Sequence, residues 1–248
     1  MSLTLMLAAV AGAVLSALIC VAWRGRHRTG QRVGAAVCVA ACIVGLTGAL
    51  TGLSAPGNPS LVLAWPAMGG NIAWRLDPLS AFFAAPVFVI GGLGALYGTA
   101  YWDQKKHPAS APWLGFFWGM LVAGMALVVL AGDALAFLLG WELMALSAFF
   151  LIGAEHRRDR GSHRAALIYL LSTHGATLAL FAAFALLRVG SGSFEFRPDA
   201  LGAADPILRE AVAGLLLFAF SIKAGLMPFH FWLPDAHAHA PSHVSALM

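Results

Sequence analysis

"SIKAGLMPFHFWLPDAHAHAPS", residues 221–242, places a lysine in an apolar run and follows it with three prolines and three histidines. An amine is costly in lipid, and proline interrupts a helix because it lacks the backbone N–H. A helix broken at membrane depth is tolerated where it is buried in protein or lines a hydrated cavity. If the surrounding chain is a membrane protein, Lys223 and the break near Pro228 predict an ion site.

The rest of the chain has the composition of a membrane protein. Of its 248 residues, 60% are hydrophobic and 10% are charged, whereas soluble domains have about 25% charged residues. No basic face with interleaved aromatic residues and no zinc-finger or helix-turn-helix pattern is present, which argues against a nucleic-acid partner. We therefore predict a multi-pass protein of the cell inner or plasma membrane, with the lipid bilayer as a partner.

Seven stretches are long and apolar enough to cross a bilayer, for which about 20 residues are needed. The fold class is therefore predicted to be all-α: a polytopic transmembrane helix bundle with about seven spans and the start of an eighth. The predicted spans are residues 3–23, 33–53, 79–101, 112–131, 133–153, 165–187 and 209–227, and residues 240–248 open the eighth. The polar stretch 54–78 has turn residues and short apolar patches, which are typical of a small hairpin or a surface cover.

Basic residues are distributed unevenly over the two sets of loops. Ten lysines and arginines fall on one side of the predicted membrane and four on the other. Because cytoplasmic loops hold the excess of basic residues, the N-terminus is predicted outside. The first span has no basic residue before it and has the full membrane length, so we expect it to stay as a helix rather than be cleaved.

Small residues in the spans are predicted to serve helix packing. Gly94 and Gly98 have the GxxxG spacing that lets helix backbones approach closely in lipid. All three cysteines lie in predicted spans, without disulfide or metal-cluster spacing. We therefore predict that Cys20, Cys38 and Cys42 are buried packing residues.

Two charged residues within the spans need a specific reason. Glu142 lies nine residues after Asp133, where a charge costs at least about 3 kcal/mol on insertion scales. Lys223 is the only lysine in a predicted span and is the obvious partner. Burial and an opposite charge shift the pKa of each group in opposing directions, so such a pair can hold or release a proton. A static salt bridge that locks two helices is the alternative, and these two residues do not decide between them.

Several histidines are candidates for proton transfer to water, because imidazole titrates near neutral pH. His174 lies within the sixth span and shares a helical face with Thr173 and Thr177, where relay and packing roles are both open. The other candidate relays are His230, His237 and His243. A metal site is the competing interpretation, but no cysteine or carboxylate has the spacing of a zinc-protease motif, and we predict none.

Two long motifs resemble a known family. "FLLGWELMALSAFFLIGAEH" at residues 137–156 and "SIKAGLMPFHFWLPDAHAHAPSHVSALM" at residues 221–248 resemble the antiporter-like proton-conducting membrane subunits. That family is shared by respiratory complex I, the Mrp-type cation/proton antiporters and the group 4 membrane-bound hydrogenases. The ending "AHAHAPSHVSALM" is most similar to the hydrogenase-4 and formate hydrogenlyase branch, since complex I subunits more usually carry "PTPVSAL" there.

The resemblance implies roles for individual residues. Glu142 corresponds to the glutamate of the fifth helix and Lys223 to the lysine of the broken seventh helix, a pair thought to pass protons along a central hydrophilic axis. His243 falls where hydrogenase-type members carry histidine. Residues 1–111 would form transmembrane helices 1–3, and residues 112–248 an incomplete first antiporter-like repeat. Family members continue through a second, inverted repeat, so we expect this chain alone to lack a complete proton path.

The resemblance also implies partners and cofactors. No cofactor is expected in this chain, because electron transfer belongs to partner subunits that hold iron–sulfur clusters and a nickel–iron or flavin centre. The expected partners are protons and the other membrane and peripheral subunits of a redox-driven proton pump. The leading hypothesis is a proton-translocating subunit, or its N-terminal portion, of a hydrogenase-4-like, formate hydrogenlyase-like or NADH:quinone oxidoreductase-like complex. A non-conducting structural module and an Mrp-type antiporter subunit are the alternatives.

Overall fold

A computed structural model of the chain describes residues 1–23, 27–54, 57–65, 70–155, 159–197, 199–202 and 204–248. These residues form a helical bundle with one β-hairpin, which confirms the predicted fold class. The elements are α1 Ser2–Ala22, α2 His27–Leu53, β1 Ser60–Trp65, β2 Gly70–Arg75, α3 Pro78–Tyr101, α4 Ala111–Leu130, α5 Ala134–Ile152, α6 Arg160–Ser191, α7 Pro206–Ala224, α8 Leu233–His239 and α9 Ser242–Leu247.

Six helices in the described part of the chain, α1 to α6, are long and apolar enough to cross a membrane. The seventh predicted span corresponds to α7, which has 19 residues and includes Arg209, Glu210 and Lys223. Helix α6 also has three charged residues, but they lie near the ends of a 32-residue helix and leave a long apolar stretch between them. The number of seven spans and the outside N-terminus stay predictions.

Helix α6 is longer than the sequence pattern predicts. Its 32 residues extend beyond 165–187 at both ends. The Asp159 side chain accepts hydrogen bonds from the backbone N–H groups of Gly161 and Ser162, and Gly192 ends the helix with φ 72°. These caps satisfy backbone groups at the polar ends, so helical structure continues past the apolar segment.

Small residues allow the first helices to pack closely. α1 packs against α2 and α4, and a Cβ on Gly119 of α4 would lie 2.6 Å from the Ala13 oxygen of α1. A Cβ on Gly94 would lie 2.3 Å from the Trp118 ring, as expected for a close-packing glycine. The cysteines, Cys20, Cys38 and Cys42, are unpaired and buried, which agrees with a packing role.

Two apolar clusters meet along α5 and α6. One cluster joins residues of α1 to α6 with α9, and the other joins α5, α6 and α7. Because α4 packs on both α1 and α5, helix packing does not divide the chain at residue 111, and the predicted division into 1–111 and 112–248 stays a prediction.

The hairpin is attached to the turn between α4 and α5. β1 and β2 are antiparallel, with Ser60 opposite Arg75 and Trp65 opposite Gly70. The buried Asp133 side chain accepts from Ala136 N at 2.8 Å, which caps α5, and also from Ala73 N of β2. This is the hairpin that the sequence of residues 54–78 left as one of two possibilities.

Helix α7 ends at Ala224, ahead of the proline at which the break was predicted. Gly225 adopts φ 65°, the left-handed conformation that ends a helix. The indole Nε1 of Trp232 donates to the Ile222 oxygen at 2.7 Å, so a residue from beyond the break satisfies a carbonyl at the end of α7. Lys223 is therefore in the last turn of a helix, where the helix dipole favours a positive charge.

Candidate functional site

The Glu142 carboxylate of α5 faces α6. Oε1 accepts a hydrogen bond from the Thr177 hydroxyl at 2.6 Å, and Oε2 lies 3.8 Å from His174 Nε2. The Glu142 side chain is 28% exposed and the His174 side chain 47% exposed. A charged carboxylate in an apolar helix thus has two polar neighbours on the next helix, and the His174 ring stands on the more open side.

The orientation of the His174 ring places a proton-accepting nitrogen toward Glu142. Nδ1 lies 3.1 Å from the Leu170 oxygen, and a carbonyl only accepts hydrogen bonds, so Nδ1 carries the hydrogen of this bond. In the neutral ring Nε2 then has a free lone pair. A proton added at Nε2 would lie between His174 and the Glu142 carboxylate, and the relay role of His174 stays a prediction.

The Thr177 hydroxyl connects Glu142 to a tryptophan. Trp141 Nε1 donates to Thr177 Oγ1 at 3.0 Å, while the same hydroxyl has Glu142 Oε1 at 2.6 Å and the Thr173 oxygen at 3.1 Å as acceptors. A hydroxyl has one hydrogen to donate, so it can rotate between two acceptors. Trp141 and Thr177 are both buried.

Lys223 contacts aromatic side chains. Its Nζ donates to the Tyr169 hydroxyl at 2.8 Å and lies 5.5 Å from the Trp141 ring centre and 5.0 Å from that of Tyr169. Such distances are within the range of cation–π attraction. Among the described residues, no carboxylate oxygen lies within 4.0 Å of Lys223 Nζ.

The partner expected for Glu142 is therefore not in direct contact with it. The Trp141 side chain is hydrogen-bonded toward Glu142 through Thr177 and faces Lys223 with its ring. Sequence spacing could not show this, because the rotation and separation of α5 and α7 depend on how these helices pack with α6. Any coupling of the two charges acts across an indole ring instead of through an ion pair.

The remaining histidines lie apart from Glu142. His237 Nδ1 is 2.7 Å from the Ser245 hydroxyl, which joins α8 to α9. His230 is exposed, in the segment between α7 and α8. His239, not among the candidates, has Nε2 3.6 Å from Asp159 Oδ2, which joins the end of α8 to the start of α6.

His243 is placed in a different part of the molecule. It is 5% exposed and packs against α3 and α4, with its ring centre 5.0 Å from that of Trp118. A Cβ on Gly98 would lie 3.2 Å from His243 Nε2, so the glycine makes room for the imidazole. The six candidates thus fall into a Glu142–His174 pair, a nearby Lys223, and three separated histidines.

Sequence reasoning missed the aromatic half of the site. Tyr169 and Trp141 hold Lys223, and Trp232 packs on the Tyr169 ring at 5.3 Å between ring centres. A tyrosine inside an apolar span and a tryptophan directly before the intramembrane glutamate were the available signals. In the described residues, no three histidine, cysteine or acidic side chains are arranged to hold a metal ion.

Comparison with known proteins gives a family for the second half of the chain. Residues 131–248 match the family described as NADH:quinone oxidoreductase/Mrp antiporter, transmembrane region. Hydrogenase-4 component B of Escherichia coli K12 is 35% identical over 178 residues, which is 72% of this chain and 26% of that protein. A putative antiporter subunit, mnhA2, of Staphylococcus aureus is 30% identical over 182 residues, covering 72% of this chain and 22% of that protein.

Solved structures show the same fold. A chain of the Mrp complex from Dietzia sp. DQ12-45-1b superposes with a TM-score of 0.79 and 27% identity, over 99% of this chain and 26% of that one. A chain of an archaeal membrane-bound sulfane sulfur reductase superposes with a TM-score of 0.74 and 23% identity, over 98% of this chain and 37% of that one. This second likeness shows a shared fold only. The chain spans about a quarter of the curated relatives it matches. The resemblance predicted from the two motifs is confirmed.

Proposed function

Residues 131–248 belong to the NADH:quinone oxidoreductase/Mrp antiporter family, and from this premise we propose that the chain is a proton-translocating part of a multi-subunit membrane complex. The polar contacts of Glu142 on α5 and of Lys223 at the end of α7 are the observation that carries the proposal. Two charged side chains in apolar helices are costly unless they have a use or compensating contacts.

Protons would pass through side chains that accept and donate. His174 accepts a proton at Nε2 from the more open side and delivers it to the Glu142 carboxylate, 3.8 Å away. When Glu142 binds this proton, the Thr177 hydroxyl rotates and donates its hydrogen bond to the Thr173 oxygen instead of to Glu142. Each step moves one proton from the donor to the acceptor, so no other reactant is needed.

Lys223 would respond to the charge on Glu142. Coulomb interactions weaken little in a medium of low dielectric constant, and the Trp141 ring packs against Lys223 while its indole N–H is hydrogen-bonded to the Thr177 hydroxyl beside Glu142. When Glu142 binds a proton its negative charge disappears, and the ammonium of Lys223 loses a stabilising field. The lysine then releases its proton more readily, so charge rather than contact couples the two sites.

Hydrogenase-4 component B is among the similar proteins, which supports a hydrogenase-type or quinone-reductase-type complex. In such a complex, the partner subunits of this chain would supply the iron–sulfur clusters and the nickel–iron or flavin centre. Redox chemistry there would drive proton movement here, and this chain would contribute no redox group.

The test uses the complete membrane complex that contains this chain. Lys223→Ala and Glu142→Ala are each expected to abolish proton pumping, measured by quenching of a pH dye in sealed vesicles, while the complex still assembles. The matched controls are Lys105→Ala in the α3–α4 loop and Glu210→Ala on the exposed face of α7, which should pump normally. Undiminished pumping by an assembled Lys223→Ala complex would refute the proposal.

A structural role makes the opposite prediction. If Glu142 and Lys223 only lock helices together, exchanging them in the double variant Glu142→Lys/Lys223→Glu should keep function. Because the two groups contact different partners, Thr177 for one and Tyr169 for the other, we expect the exchange to fail.

Cation/proton antiport is the second candidate function. The superposition on a chain of an Mrp complex and the similarity to a putative antiporter subunit favour it. Measurements of proton exchange in everted vesicles test it directly. A requirement for added Na⁺ would support antiport, whereas the same proton movement with and without Na⁺ would support redox-driven pumping.

A further inference from the structure

A small internal space in the bundle has several polar side chains in its lining, and none of the residues that contact Glu142 lines it. It is a cavity among α1, α2, α3 and α4, with about 30 Å³ of space for water. A water molecule needs roughly 10–15 Å³ measured in this way, so the cavity accommodates one or two. Its polar lining residues are Ser16, Cys20, Gln31, Cys38, Thr99 and His243.

His243 gives this cavity its chemical character. The ring lines the cavity, and its Nδ1 is buried without a hydrogen-bond partner among the described residues. A buried polar atom without a partner is rare, and ordered water is the usual remedy. The titratable groups packed nearest are Tyr97 and Tyr101 of α3, together with the cavity thiols.

The cavity adjoins an opening at the end of the bundle. A larger space of about 340 Å³ is lined by Gln31, Arg32, Thr99, Ala100 and Asp103. Gln31 and Thr99 line both spaces, so the two meet at these side chains. Arg32 is exposed at this end of the bundle, which is called the Arg32 end below.

The Gln31 amide forms the boundary between the two spaces. Its Nε2 donates to the Trp102 oxygen at 2.8 Å, and its Oε1 accepts from Gln104 N at 3.1 Å. These bonds hold the polar side chain in the wall that the two spaces share. The wall is therefore polar at this point.

We propose that this cavity is hydrated and that His243 takes up and releases protons through it, by way of Gln31 and Thr99, at the Arg32 end of the bundle. This inference rests on the proposed function in assuming that the protein moves protons. A hydronium ion in the cavity gives one proton to the imidazole and becomes water, and the reverse step returns it. The route enters through α1–α4 and does not involve Glu142 or Lys223.

The native cysteines supply a matched test of hydration. Cys38 lines the cavity and Cys42, one helical turn away, does not; the two are 1% and 3% exposed. In the full complex, Cys20→Ala/Cys42→Ala leaves Cys38 alone, and Cys20→Ala/Cys38→Ala leaves Cys42. Membrane vesicles of each orientation receive Ag⁺ for a fixed time, and the thiols still free are then labelled with a maleimide after denaturation and counted by mass spectrometry.

Cys38 should react with Ag⁺ at least about tenfold faster than Cys42, because thiol reactivity follows access to water. The reaction should be faster when Ag⁺ is added on the side of the membrane that faces the Arg32 end. Equal rates for the two cysteines would overturn the proposal. This readout does not depend on pumping, so its failure is distinct from a failure of the Glu142–Lys223 proposal.

Filling the cavity tests the proton route. Ala35 lines the cavity, and its neighbour Ala36 is exposed on the outer face of α2. Ala35→Leu should abolish the fast Ag⁺ reaction of Cys38 and reduce proton uptake in the pH-dye assay, whereas Ala36→Leu should change neither. Normal proton uptake in an assembled Ala35→Leu complex with an unreactive Cys38 would show a wet cavity without a proton role and would refute the route.

Discussion

Thr177 is the residue on which the polar contacts of the site converge. Its hydroxyl accepts from the indole of Trp141 and has Glu142 as an acceptor. A hydroxyl can do both, because it accepts one hydrogen bond and donates another. The charge of Glu142 is therefore linked to a neutral side chain that can reorient without a desolvation cost.

Removing this hydroxyl should slow proton transfer. Thr177→Val keeps the shape of the side chain but deletes a hydrogen bond to a charged group, which contributes about 1.5–3 kcal/mol. If that energy is lost in the transfer step, the pumping rate falls about tenfold to a hundredfold. Thr177→Ser, which retains the hydroxyl, should pump at close to the normal rate, and equal rates for the two variants would contradict the relay.

Tyr169 is the hydrogen-bond partner of Lys223, as Thr177 is of Glu142. Its hydroxyl is the hydrogen-bond acceptor for the ammonium, and its ring packs on Trp232. Tyr169→Phe removes the first contact and keeps the second. We expect the variant to assemble normally and to pump about tenfold to a hundredfold more slowly, since a hydrogen bond to a charged group is worth about 1.5–3 kcal/mol. The vesicle dye assay, normalised to the amount of assembled complex, measures the difference.

At the scale of the element, the broken end of α7 determines where Lys223 lies. Gly225 ends the helix in a left-handed conformation, and Trp232 returns to bond the Ile222 carbonyl. The lysine is thus held in the last helical turn while the following segment folds against it. A continuous helix would have carried residues 225–232 away from α6.

The glycine at the break should be difficult to replace. Gly225→Ala puts a Cβ on a residue with φ 65°, at 2.5 Å from Leu233 Cδ1, and the left-handed conformation alone costs about 1–2 kcal/mol. We expect a lower apparent melting temperature of the purified complex. Gly214→Ala on the same helix meets no atom within 4 Å and should be neutral or slightly stabilising, which separates the effect of the break from that of any alanine in α7.

At the scale of the whole molecule, Asp133 joins the hairpin to the helical bundle. Its buried carboxylate caps α5 and also binds the backbone of β2, and Gly132 N donates to the Ala73 oxygen at 2.9 Å. The hairpin is therefore fixed across one end of α4 and α5. Asp133 and its neighbour Gly132 thus connect two elements that are far apart in sequence.

Loss of Asp133 should cost more than loss of an ordinary helix cap. Asp133→Ala removes a cap, worth about 1 kcal/mol, and leaves the buried Ala73 N–H without its partner, which adds about 1–3 kcal/mol. Asp77→Ala removes only the cap of α3 and is the matched control. Thermal unfolding and limited proteolysis of the hairpin in the two variants should differ; equal behaviour would mean that the hairpin does not depend on Asp133.

The sequence by itself determined the membrane class, the helical architecture, the family resemblance and most helix positions. Lipid requires long apolar helices with internally satisfied backbone groups, so composition and run length report the fold almost directly. Glu142 and Lys223 were recognisable as unusual for the same reason, since a charge in an apolar run stands out against its neighbours. The capped polar ends of α6 were less visible, because caps depend on single residues outside the apolar pattern.

The tertiary structure alone decided which side chains meet. It placed Trp141, Thr177 and Tyr169 around the two charges, and it moved His243 to a separate cavity against α3 and α4. Contacts between helices depend on the rotation and separation of each helix, which follow from how many small residues pack together, and a single sequence does not reveal those quantities. Apolar runs therefore identify the charges, and only packing shows that an indole and a hydroxyl, rather than a direct ion pair, lie between them.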